Sequence, residues 1–62
     1  MTIEEMKIKA DTSSSRKSWC RDTSNRLIVC TCYDYYMGDN EYEWTVEGSL
    51  VTESEARSFV EI

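Results

Sequence analysis

The chain has 62 residues, seven Lys and Arg against twelve Asp and Glu, and neither His nor Pro. That length allows one domain, residues 1–62, with a marginal core and little material to wall an active site. The absence of His removes the usual general base and the commonest metal ligand.

The charge is unevenly divided. Residues 1–31 carry six cations against four carboxylates, whereas residues 32–62 carry Arg57 alone against eight. An acidic half disfavours direct contact with nucleic acid or an anionic membrane, both of which need clustered Lys and Arg. It favours a partner with a basic surface. Two Trp, four Tyr and one Phe argue for a folded chain. The N-terminus is charged and lacks the apolar core of a signal peptide, and no apolar run is long enough to span a bilayer. With an odd number of cysteines, these features predict a cytoplasmic protein with reduced thiols.

In chain order, residues 6–10 alternate apolar and charged, which predicts a first strand. A helix competes for the same segment: Thr2 and Glu5 match a capping box, with Ile3, Met6 and Ala10 on one face. The strand reading is adopted. Residues 11–15 follow as a loop. A second strand is expected over 16–22 around Trp19, then a turn at Asp22-Thr23-Ser24-Asn25. Residues 26–36 are rich in β-branched and aromatic types and predict a central strand. A turn at 37–40 leads into a strand over 41–47, ended by Gly48-Ser49. There Tyr42, Trp44 and Val46 alternate with Glu41, Glu43, Thr45 and Glu47. Thr52 and Glu55 form a capping box that opens a helix over about 53–62, with Ala56, Phe59 and Val60 as its apolar stripe. The predicted fold is α+β: a small antiparallel β-meander of three to four strands with one C-terminal helix packed on one face.

Pairing Tyr36 with Glu41 across the 37–40 turn opposes Tyr33 to Trp44. Leu27, Val29, Tyr33, Tyr35, Tyr42, Trp44 and Val46 then share the core face. Asp34, Glu41, Glu43 and Glu47 share the other, with Asp39 extending the acidic strip into the turn. A two-residue turn at Ser24-Asn25 opposes Cys20 to Val29. It buries Ser18 and Cys20 and leaves Trp19 exposed beside Ile28, Cys30 and Cys32. A one-residue slip is the competing register; it buries Trp19 and turns Lys17 and Arg21 inward.

Candidate chemistry is sparse. The Cys30-Thr31-Cys32 pair lacks the second pair of a metal centre, and its cysteines suit packing. Nucleophiles have no His to activate them. The sequence therefore predicts no catalytic residue, no metal and no cofactor. The carboxylates repeating along the strand are the sharper feature, because a row of negative groups can occupy a basic groove in place of nucleic acid. In size, acidity and strand pattern, with the strip Asp34 to Glu47 at its centre, the chain resembles the small acidic inhibitor proteins of phages and mobile elements, including the anti-CRISPR proteins. That resemblance implies a non-enzymatic inhibitor in the host cytoplasm, binding a complex that handles nucleic acid. The expected contact residues are Asp34, Tyr36, Asp39, Glu41, Glu43, Glu47 and Trp19. The alternative is a self-associating module, since a chain this short gains core by forming a homodimer.

Overall fold

The computed structural model describes residues 1–33 and 41–61. The expected turn at 37–40, and the placements of Asp34, Tyr35, Tyr36 and Asp39, lie outside them. The fold is α+β. Two helices enclose one side of a four-stranded antiparallel meander, in the order α1 (Ile3–Thr12), β1 (Lys17–Arg21), β2 (Leu27–Tyr33), β3 (Glu41–Val46), β4 (Ser49–Val51) and α2 (Glu53–Val60). Among the described residues no helix is long and apolar enough to cross a membrane.

The first correction is at the N-terminus, where the strand expected over 6–10 is helical. Thr2 Oγ1 accepts from the Glu5 amide at 3.1 Å and caps α1. Ile3, Met6 and Ala10, spaced by three and four, are all fully buried, while Ile8 is 62 % exposed. Five residues of alternation fit either period. The helix wins because it buries three apolar side chains on one face. α1 lies on β1 and β2, α2 on β3, and the two helices touch. Ser18, buried on β1, donates its hydroxyl to the Met6 carbonyl at 2.7 Å.

Both hairpins depart from the expected pairing. In the first, Ser18 faces Cys30, Trp19 faces Val29 and Cys20 faces Ile28, one residue away from the adopted register. The connection spans 22–26, because Asp22 Oδ1 accepts from the Ser24 and Arg26 amides at 2.8 Å each. That Asx turn, with Asn25 at φ +63°, is longer than the two-residue turn assumed. In the second, Cys30 faces Trp44 and Tyr33 faces Glu41, three residues away from expectation. An odd shift turns a strand over. Ile28, Cys30 and Cys32 point into the core, and Leu27, Val29 and Tyr33 do not. Both faces of β2 are apolar enough to serve, and the small thiols fit beneath the helices.

Glu47 and Gly48, at φ +50° and +84°, form a two-residue turn with positive φ at both positions. This is the primed geometry that matches strand twist. It returns the chain as β4, where Val46 faces Ser49 and Trp44 faces Val51; the expected sheet stops short of this strand. α2 is capped as expected, with Thr52 Oγ1 accepting from the Glu55 amide at 3.2 Å and Glu55 reaching back to the Thr52 amide. Ala56 is buried, and Phe59 and Val60 pack against the core.

Candidate binding face of the sheet

The helices cover only one face of the sheet. The other face is built from the strand positions that point away from them: Lys17, Trp19 and Arg21 on β1, Leu27, Val29, Thr31 and Tyr33 on β2, Glu41, Glu43 and Thr45 on β3, and Leu50 on β4. Cross-strand pairing arranges most of them in three rows perpendicular to the strands. One row runs Lys17, Thr31, Glu43. The next runs Trp19, Val29, Thr45, Leu50. The third runs Arg21, Leu27, Glu47, closed by the Glu47 amide on the Leu27 carbonyl at 2.8 Å.

Apart from Thr45 the middle row is apolar, and its two ends are open to solvent. Trp19 is 64 % exposed and Leu50 is 70 % exposed. Lys17, Arg21, Leu27 and Val29 surround Trp19 in a shallow depression of about 410 Å³. Trp19 is therefore exposed, as expected, but beside different neighbours: Ile28, Cys30 and Cys32 lie on the opposite face.

The expected acidic contacts fare unevenly. Glu41 and Glu43 stand on the open face, two residues apart, with the Tyr33 hydroxyl 3.4 Å from Glu43 Oε2. Glu47 sits in the turn, where Oε2 accepts from the Leu27 amide at 3.0 Å. Among the described residues Glu41, Glu43, Glu47, Lys17 and Arg21 make no ion pair, whereas Lys7, Arg26 and Arg57 each hold a carboxylate. Beyond the end of β4, the edge of β3 opens a second depression of about 430 Å³, with Glu41, Glu43 and Glu53 on its wall. Glu53 is held by Lys7 at 2.6 Å.

Lys17 and Arg21 stand on the open face as expected, and sequence reasoning missed the contributions of Leu27, Val29 and Leu50. Their signal was present: 27–29 is apolar at consecutive positions, so one of its faces had to remain uncovered.

Beneath the sheet lies a polar anchor. Asp11, in the last turn of α1, accepts the Tyr42 hydroxyl at 2.8 Å and the Cys32 thiol at 2.9 Å. No disulfide joins Cys20, Cys30 and Cys32 among the described residues. Burial pushes the Cys30 thiol up to about 11, and burial also raises that of Cys20. Among the described residues no group of three or more His, Cys, Asp or Glu side chains is placed to hold a metal ion. The Trp44 indole N–H is buried against the core with no acceptor among the described residues.

The chain matches no family model, no curated protein and no solved structure.

Proposed function

We propose that this chain is a non-enzymatic protein-binding module whose working surface is the open face of its sheet. The uncovered row Trp19, Val29, Leu50 carries the reading. Large apolar side chains grouped on one exposed face, with a Trp among them, are the material of protein interfaces. Lys17 and Glu43 flank that row on one side and Arg21 and Glu47 on the other, so the matching surface is apolar at its centre and carries both signs of charge at its rim.

A narrower reading takes the partner to be a complex with a basic, nucleic-acid-binding surface, inhibited by occupation as the resemblance to phage and mobile-element inhibitors implies. Its support is that Glu41 and Glu43 are not neutralised by an ion pair among the described residues. Lys17 and Arg21 on the same face weigh against it.

Capture from the lysate of the native cell tests the proposal. The chain is immobilised beside a Trp19→Ser/Leu50→Ser variant and a Glu41→Lys/Glu43→Lys variant, each shown to be folded by circular dichroism. Retained proteins should be lost with the apolar variant. Loss with the acidic variant, together with elution by heparin, singles out the narrower reading. Retention unchanged by Trp19→Ser/Leu50→Ser refutes the proposal.

A further inference from the structure

The three rows of the open face share a polarity. Two of them run from a cation on β1 to a carboxylate on or beside β3: Lys17 to Glu43, and Arg21 to Glu47. Apart from Thr45 the row between them is apolar. Neighbouring strands lie about 4.8 Å apart, so the backbone positions of cation and carboxylate within a row are about 10 Å apart, and among the described residues neither Lys17 nor Arg21 makes an ion pair. A surface with one sign of charge on one side and the opposite sign on the other is complementary to itself.

We infer that the occupant of this face is a second copy of the chain, bound face to face about a twofold axis parallel to the strands. The inference rests on the open face being a docking surface and names what docks there. Such an axis maps each row onto itself with its ends exchanged. Lys17 of each copy then lies toward the Glu43 side of the other, Arg21 toward the Glu47 side, and Trp19 over the Thr45–Leu50 end of the middle row. Two sheet faces pack about 10 Å apart with strands nearly aligned, which this axis permits. The charges also select the axis. A twofold perpendicular to the strands would set Lys17 against Arg21 and Glu43 against Glu47, and like charges brought together oppose association. An isologous interface of this kind closes at two copies. It also covers Trp19 and Leu50, the most exposed large apolar side chains of the sheet.

Charge reversal tests both the partner and the axis. Lys17→Glu sets a new carboxylate against Glu43 of the other copy. Glu43→Lys sets a new ammonium group against Lys17. Both positions are on the surface, and circular dichroism confirms each fold. Mass is followed by sedimentation equilibrium over a wide concentration range. The native chain should be a dimer that dissociates on dilution. Each reversal should weaken it about tenfold or more, within the range measured for close interfacial charge pairs. An equimolar mixture of the two variants should restore dimers containing one of each. In such a dimer the carboxylate introduced at position 17 meets the ammonium group introduced at position 43, and the remaining Lys17 meets the remaining Glu43. Trp19→Ser should dissociate the dimer as well. A native chain that stays monomeric throughout, a dimer indifferent to these substitutions, or a mixture that does not associate overturns the inference. A monomer whose capture of other proteins is still lost with Trp19→Ser/Leu50→Ser leaves the docking-surface reading standing, so the two failures are distinguishable.

Discussion

Removing the carboxylate of Asp11 should unfasten α1 from the sheet. Asp11 is in the last turn of α1, where the helix dipole disfavours an anion. Its partners there include the Tyr42 hydroxyl from β3 and the Cys32 thiol from β2, at 2.8 and 2.9 Å. A hydrogen bond to a charged group contributes about 1.5–3 kcal/mol. The thiol is a weak donor and Tyr42 is only half-buried, so Asp11→Ala should cost about 2–4 kcal/mol in all. Against a total stability of about 3–9 kcal/mol for a chain of this length, that is a large fraction. Urea unfolding followed by circular dichroism measures it, with Tyr42→Phe and the double variant completing a cycle. Asp11 and Tyr42 should couple by about 1 kcal/mol or more, since they touch. Asp11→Asn, which keeps one carbonyl acceptor, should fall between the native chain and Asp11→Ala. A cost for Asp11→Ala below about 0.5 kcal/mol, with no coupling to Tyr42, would refute the role of this contact in docking the helix.

The other expectations concern the core and the helix cap. Trp44→Phe removes a buried donor that has no acceptor among the described residues, so part of the lost packing is recovered; its cost should stay below about 1.5 kcal/mol, against about 3–5 for Trp44→Ala, both read from denaturant midpoints. Burial raises the folded-state thiol of Cys30 from its ordinary 9.0 to about 11. The stability this protonated thiol contributes is complete below about pH 9 and is lost as pH rises toward 11, and Cys30→Ala should flatten that slope in alkaline unfolding curves. In the native chain an alkylating reagent should modify half-buried Cys20 well before fully buried Cys30, as mass spectrometry of timed aliquots will show. Thr52→Ala should lower stability by about 1 kcal/mol, because the Glu55 amide loses the side chain that caps it, and thermal unfolding reads this directly.

Much of the fold was legible where one local signal stood alone. Thr52 with Glu55 located α2, and the strict alternation of Tyr42, Trp44 and Val46 with polar residues oriented β3. The N-terminal helix was misread because Met6 to Ala10 satisfies two periods at once. The choice between them depended on burial of Ile3 beneath a sheet not yet placed. β2, Leu27–Tyr33, lies within the expected strand 26–36 and is oriented the other way in space. Its consecutive apolar residues give two usable faces, and only the Asx turn at Asp22 and the pairing with β3 decide between them. The candidate site inherits that error. Glu41, Glu43 and Trp19 were legible as lying on the face the helices leave open, while Leu27 and Val29 were expected in the core they do not enter. Leu50 escapes the sequence reading because Gly48-Ser49 marks only the end of the strand over 41–47, whereas Glu47 and Gly48 turn the chain into β4.

The most direct test of the open face is the fluorescence of Trp19. In a Trp44→Phe chain Trp19 is the sole tryptophan, since the sequence holds two. At high dilution its emission should be red and fully open to a soluble quencher, as an indole on an uncovered sheet face must be. As concentration brings copies together, the emission should shift to the blue and quenching should fall in step with the measured mass. An indole already shielded in the monomer, or one whose emission stays unchanged while the mass doubles, would contradict the claim that this face is where the chain docks.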